Sequence, residues 1–479
     1  MTEPDQQDRL HLAFIVDPTG SFYNYVTLGP TKQIVVDNVK TRNESSDEVG
    51  PAPSKENSFR SLIYDFRSTL GAYRRAIGLY LSLGPAFSRA KFFGKLDKLI
   101  KSRGQHLGNI KDAEYATLPI EEFENIRGDL DELSDLLEFS SLLPGLLLVG
   151  LATSYDVYIG KLIEMIVEVR PEILDAAEKQ FSLRQLMEFK SFEDARSSAK
   201  QHIVDDVMRD NRQKQINWIA TKLNLKLDMN DAIWGEFVEI CERRNLFAHS
   251  GGRINRQYLE NCNRAKTNLA NASLDDLLEV SPKYLRRAID VFYEVGVKIG
   301  IIVWRALVIE QREAADDFLA EAGYKLIKTR RYKLAQQMLE FGRSMPAVSN
   351  ERIKKQYIVN LANAYKLAGD SKKSSEILSA IDWTASAVDF QICVAAIKDD
   401  ISAVTSLMKK IGPNGDIKKR SYLEWPVFAN VRKSDEFKSS YKEIFGVSLQ
   451  RDEILLEAEK TPKAEDAKAE GPKPEINID

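Results

Sequence analysis

The segment Glu242-Arg243-Arg244-Asn245-Leu246-Phe247-Ala248-His249 sets a guanidinium and an imidazole close together at the end of an amphipathic stretch. Ile233, Phe237, Ile240 and Cys241 recur at spacings of three and four, and the next positions on that stripe are Arg244 and Ala248. Arginine therefore stands where an apolar residue is expected. Burying a guanidinium without a partner is costly, so Arg244 must meet a carboxylate, line a polar cleft or face a ligand. Ser250-Gly251-Gly252 stops the helix, because glycine accepts the left-handed conformation beyond a helix end. His249 is then expected at the helix exit, within reach of the same cleft as Arg244. A guanidinium can hold two phosphate oxygens and stabilise the charge of a pentacoordinate transition state. An imidazole, with an ordinary pKa of about 6.5, exchanges protons near neutrality. These parts suit RNA cleavage by the neighbouring 2′-hydroxyl, which needs no metal and which DNA, lacking that hydroxyl, cannot undergo. Arg243, Arg253, Arg256, Arg264 and Lys266 lie close by as candidate phosphate contacts. Transesterification wants both a base and an acid, and one chain offers a single histidine here. A two-fold dimer would bring a second His249 opposite the first.

Spacing alone discriminates poorly, since Arg196 and His202 have nearly the same interval. Context separates the two pairs: Asn245 directly follows Arg244, the arginine sits on an apolar stripe, and Ser-Gly-Gly follows the histidine. A purely architectural reading stands beside the catalytic one. In it, Arg244 pairs with Glu236 or Glu239, and His249 caps the helix C-terminus, where positive charge is favoured. The string Arg244-Asn245-x-x-x-His249, at the end of a helix in an all-helical setting, resembles the HEPN superfamily (higher eukaryotes and prokaryotes nucleotide-binding). That resemblance covers roughly residues 120–308. It implies a metal-independent endoribonuclease with Arg244, Asn245 and His249 as catalytic residues, acting on RNA as a homodimer with facing motifs. It also implies a role as a toxin or phage-defence effector. The alternative is an inactive HEPN-like dimerisation and adaptor protein.

Composition narrows the classes. A chain of 479 residues exceeds one compact core, and 43% hydrophobic with 29% charged residues is ordinary for a globular cytoplasmic protein. A formal net charge of −3 leaves no global basic surface, so any polyanion site must be a local patch. Cys241, Cys262 and Cys393 fall in no paired spacing and are expected as buried, reduced thiols. No phosphate-cradling loop, serine elbow or metal-ligand spacing occurs, so neither a cofactor nor a metal is expected. The first residues carry no signal-peptide pattern. Leu142 to Ala152 is apolar but short of the about 20 residues a bilayer span needs. Val291 to Ile309 is interrupted by Glu294, Lys298 and Arg305, as in a buried helix. No membrane segment is expected.

The elements that must position the motif read as mainly α. Residues 1–50 suggest a small β meander, with strands at Leu10–Val16, Phe22–Leu28 and Lys32–Val39 between turn residues. A polar linker, Thr41–Asn57, follows. Residues 58–118 read as a helical connector broken at Gly84-Pro85; Arg89, Lys91, Lys95, Lys98, Lys101 and Arg103 give it a basic face, solvated or nucleic-acid-binding. Residues 119–310 read as the HEPN-like helical domain, with a helix over 120–137 and a new one starting at Leu143-Pro144 and ending at Arg170-Pro171. Further helices are expected near 183–190, 196–210, 232–248 and 283–309. Residues 313–450 carry a degenerate repeat, Leu319-Ala320…Tyr324-x-Leu326 matching Leu361-Ala362…Tyr365-x-Leu367. It resembles tetratricopeptide repeats, which implies an α-solenoid able to bind a protein partner. Residues 459–479 lack apolar periodicity and are expected to be disordered.

Overall fold

The computed structural model describes residues 11–16, 23–29, 58–103, 105–110, 113–117, 120–175, 183–225, 231–269, 272–348 and 350–449. The fold is mainly α. The chain divides into two compact units, Ser54–Ala322 with Ser344–Asn350, and Met1–Pro53 with Gly323–Arg343 and Glu351–Asp479. In the N-terminal segment β1 (His11–Val16) pairs antiparallel with β2 (Tyr23–Gly29), His11 opposite Gly29 and Val16 opposite Tyr23. The expected third strand, the Thr41–Asn57 linker and the 459–479 tail lie outside the described residues.

The first unit is built on three long helices. Helix α1 (Ser58–Arg103) is continuous through Gly84-Pro85, where a break was expected. A hairpin of β3 (Gln105–Ile110) and β4 (Ala113–Thr117), which the sequence reading missed, leads from it to α2 (Ile120–Val169). Helix α2 runs through Pro144, so the two helices expected there are one. Proline removes one backbone hydrogen bond, and the helix continues beyond it into the buried residues Leu148, Leu151 and Ala152. Leu148, Leu151, Tyr155, Tyr158, Ile159, Leu162, Ile163 and Ile166 bury one face of α2. Shorter helices follow at Leu183–Glu188, α3 (Phe192–Arg209) and α4 (Arg212–Lys222), the last unforeseen. Then come α5 (Asp231–His249), α6 (Arg256–Arg264) and α7 (Pro282–Leu307).

Helix α7 is the centre of this unit, with nearly every residue from Ala288 to Arg305 buried. Its charges are paired as burial requires: Lys298 Nζ lies 2.6 Å from Glu294, and Arg305 Nε 3.0 Å from Asp316. Close approach of α1 and α2 to α7 depends on Gly296 and Gly300. A Cβ at Gly296 would strike the Phe66 ring, and one at Gly300 the Tyr158 hydroxyl and Ile63. Tyr158 instead donates to the Gly296 carbonyl at 3.0 Å, and Phe66 stacks on its ring at 4.2 Å. Tyr155, Phe237 and Phe292 make the adjoining aromatic cluster, with centroids 5.0–5.6 Å apart. The stretch Leu142–Val169 is long and apolar enough to cross a membrane by length and composition, with mean hydropathy 1.5. That is longer than the Leu142–Ala152 run judged from sequence, and its buried residues form part of this core.

In the second unit the helices follow as hairpins: α8 (Arg312–Lys328, which begins in the first unit) with α9 (Tyr332–Ser344), α10 (Glu351–Leu367) with α11 (Ser371–Ser379), and α12 (Val388–Ile397) with α13 (Ile401–Ile411). A further helix, α14 (Asp435–Phe445), packs on α13. The three hairpin turns share one backbone geometry. Arg330, Gly369 and Asp399 each have positive φ, and the next residue's N–H reaches five residues back, to Leu326, Tyr365 and Ala395. These are Schellman closures. Asp370 and Asp400 then cap the next helix through the N–H groups of Lys373 and Ala403.

Candidate functional site

Helix α5 carries the motif because Ile233, Phe237, Ile240 and Cys241 bury one stripe against the aromatic cluster of α2 and α7. The helix ends at His249, where Ser250 and Gly252 both return N–H groups to the Leu246 carbonyl, at 2.7 and 3.1 Å. Gly251 and Gly252 have φ of 57° and 83°, as the sequence required. Phe247 clamps this end, filling the space a Cβ would take at Gly145 of α2 and at Gly252. Beyond the motif, Leu246, Ile254, Tyr258 and Cys262 form a small core of their own. Backbone bonds from Leu278 to Gly252 and from Ile254 to Asp276 fasten the exit segment.

Arg244 does not pair with Glu236 or Glu239, the partners considered from sequence. Glu236 takes Arg287 through two bonds of 2.6 and 2.8 Å. Glu239 accepts from Arg243 Nε at 2.7 Å, Tyr258 Oη at 2.8 Å and Tyr284 Oη at 2.7 Å. Arg244 instead directs Nη2 to Asp156 Oδ2 of α2 at 3.0 Å. The other oxygen of Asp156 is paired with Arg212, the first residue of α4. Two guanidiniums therefore share one carboxylate. Their side chains are 20% and 15% exposed and that of Asp156 26%, so the cluster is recessed yet open to solvent. Arg244 Nε is buried without a hydrogen-bond partner among the described residues. Burial works against the charge of Arg212, and the Asp156 carboxylate beside it favours that charge. Burial pushes the Cys241 thiol up, and Cys241, Cys262 and Cys393 are all free and buried, as expected from sequence.

His249 is exposed and Asn245 half-buried. Five positions along an α-helix turn a side chain by about 140°, so Arg244 and His249 leave the helix on different sides. Asn245, one turn before His249, shares the histidine's side. The expectation that one chain brings both groups into one cleft is therefore corrected: Arg244 turns in toward α2, and His249 turns out.

Comparison with known proteins gives no match. No family model fits the chain, and no curated protein or solved structure matches it.

Of the expected phosphate contacts, Arg243 is the one drawn inward. Besides Glu239, it donates to the Glu279 carbonyl at 2.8 Å and stacks over Tyr284 at 4.2 Å, so it is an architectural residue. Arg253, Arg256, Arg264 and Lys266 are exposed. Arg253 reaches the Asp275 carbonyl at 3.4 Å, and Arg264 the Asn261 side chain at the same distance. In the pair with similar spacing, Arg196 meets Glu168 and Glu193 at 3.9 and 3.6 Å on the surface of α3. On the basic connector, Lys95 pairs with Asp129 and Lys101 with Asp97.

Sequence reasoning missed Asp156 and Arg212. Both left signals. Asp156 is the one carboxylate between Phe139 and Ile163, a stretch whose one other charged residue is Lys161. Arg212 follows the cap residue Asn211 and precedes Ile216, Ile219 and Leu223, an amphipathic spacing that marks a helix.

Proposed function

We propose that this protein is a metal-independent endoribonuclease of HEPN type that works as a homodimer. The observation that carries the reading is the state of Arg244. It sits on the apolar stripe of α5, is held by a carboxylate, and keeps its side chain 20% exposed, with its Nη2 bond to Asp156 the one hydrogen bond it makes among the described residues. Arg243, by contrast, spends its donors on Glu239 and the Glu279 carbonyl. With His249 exposed at the helix exit, the two groups suit a polynucleotide approached from solvent. Their separation around the helix supports a composite site, in which the imidazole of one copy serves the phosphate held by the other. Phe139, Leu142, Leu146 and Val157 stand exposed on α2 within about 60° of arc, flanking Asp156. This apolar stripe is the face we assign to the second copy. The hairpins α8 to α13 are read as a tetratricopeptide-like platform for a regulatory protein, and the activity as that of a cytoplasmic toxin or phage-defence effector.

Incubating full-length protein with mixed-sequence RNA in EDTA tests the activity. Cleavage leaving cyclic phosphate ends, reduced at least about 100-fold in His249→Ala, is expected for loss of a general acid–base group. Cleavage indifferent to both His249→Ala and Arg244→Ala would sink the reading.

The ion pair of Arg244 with Asp156 favours a second reading, an adaptor without activity. In that case RNA stays intact, and a partner co-purifies in stoichiometric amount and protects residues 323–449 from hydrogen exchange.

A further inference from the structure

We propose that Asp156, Arg212 and Arg244 form a phosphate-binding device in which Arg212 is a second anion-binding guanidinium and Asp156 the residue that positions both. The identification of the anion as an RNA phosphodiester rests on the ribonuclease reading; the device itself rests on geometry. Each oxygen of Asp156 takes one arginine, Oδ2 that of Arg244 at 3.0 Å and Oδ1 that of Arg212. One carboxylate balances the charge of one cation, and here it meets two. The other ionisable groups bearing on Arg212 are the Cys241 thiol and the Tyr155 phenol, both kept neutral by burial. One positive charge is therefore left over, on side chains 15–20% exposed, where partial burial strengthens its field.

Arg212 is built to stay in place. It opens α4 directly after the cap residue Asn211, and its Nη1 donates to Gln215 Oε1 at 3.0 Å. Gln215 is itself buried and tied through Nε2 to the carbonyls of Met208 and Asp210. The guanidinium lies over the Tyr155 ring at 5.7 Å. Arg244, by contrast, makes no hydrogen bond among the described residues besides that of Nη2 to Asp156, and its side chain is 20% exposed. A phosphodiester presents two non-bridging oxygens much as a carboxylate presents its pair, and arginine recognises both in the same way. Without RNA, Asp156 keeps the two forks oriented; with RNA, the phosphate competes with it for their donors.

The device makes opposite predictions for its members. Removing the Arg212 fork costs anion affinity. Neutralising Asp156 removes a competitor and so tightens anion binding, yet it loosens the orientation of the forks and slows turnover. A merely structural carboxylate would not give that split. The test measures sulfate binding to the full-length chain by calorimetry against chloride at matched ionic strength, alongside single-turnover RNA cleavage in EDTA. Sulfate affinity is expected to fall about tenfold in Arg212→Ala, the size of one charge-assisted contact. Arg212→Lys, which keeps the charge and guards against misfolding of the alanine variant, should fall less. Asp156→Asn is expected to bind sulfate more tightly and cleave more slowly. Unchanged sulfate binding in both Arg212 variants, or weaker binding in a folded Asp156→Asn, overturns the device whatever happens to RNA. Sulfate behaviour as expected, with RNA untouched by the wild type, supports the device and removes the ribonuclease reading. Cleavage dependent on His249 but unaffected by Arg212→Lys and Asp156→Asn leaves the ribonuclease and overturns the assignment of the anion as its RNA phosphodiester.

Discussion

Arg243 and Arg244 are neighbours in sequence with opposite fates, and the difference lies in what their helix faces. Arg243 points to a carboxylate that also receives two tyrosine hydroxyls, so Glu239 is the hub of a buried network joining α5, α6 and α7. Burial and the Glu239 charge push the Tyr284 hydroxyl well above its ordinary pKa, and it stays a donor. Truncation of such a hub strands three donors. Glu239→Ala is expected to cost about 3–5 kcal/mol, the scale for breaking a buried ion pair, with Glu239→Gln costing less. Urea unfolding at neutral pH measures it. Should Glu239→Ala change stability by less than about 1 kcal/mol, the network is peripheral.

At the scale of elements, the hairpin turns give a sharp case. Arg330 occupies a left-handed position that Gly369 fills in the equivalent turn. A side chain there costs about 1 kcal/mol, so Arg330→Gly should stabilise by about that amount and Gly369→Ala should destabilise similarly. Opposite shifts of the denaturation midpoint in the two variants would bear this out. The junction of α7 and α8 carries a pH-sensitive group. Asp316 is fully buried, and burial raises its carboxyl to about 6 despite the opposing pull of Arg305 and Arg312, Glu313 adding to the rise. Arg305 is also fixed by the Pro346 carbonyl at 2.8 Å. Because the folded pKa exceeds the ordinary unfolded value of about 3.9, the protonated acid favours the fold. That contribution is complete below about pH 4 and is lost as pH rises through about 6. Stability of the wild type relative to Asp316→Asn should therefore decline between pH 4 and 7. A difference that is flat with pH would show that Asp316 does not titrate there.

At the scale of the molecule, the proposed composite site requires two copies. Leu142→Glu with Leu146→Glu places charges on the exposed stripe of α2 without touching its buried face. Sedimentation should show a dimer for the wild type and for His249→Ala, and a monomer for the double glutamate variant, with cleavage lost in both variants. Wild-type cleavage should also fall on dilution below the dimer dissociation constant. A double variant that stays active as a monomer would refute the shared site.

Periodicity in the sequence was enough to place the helices at 231–249 and 282–307, the glycine exit after His249, and the buried state of all three cysteines. These depend on local spacing and on residue chemistry, which a chain carries with it. The continuity of α1 through Gly84-Pro85 and of α2 through Pro144 was not legible, because local signals at proline say break, whereas the loss of one backbone hydrogen bond does not end helices of 46 and 50 residues. The partner of Arg244 was equally hidden. Glu236 and Glu239 were nearer in sequence, but Arg287 and a pair of tyrosines claimed them, and a carboxylate 88 positions away was left to receive the guanidinium. The sequence determined that Arg244 needed a counter-charge; only the crossing of α2, α4 and α5 decided that Asp156 would supply it and that Arg212 would share it. Charge demands a partner locally, but which partner is a matter of which helices meet.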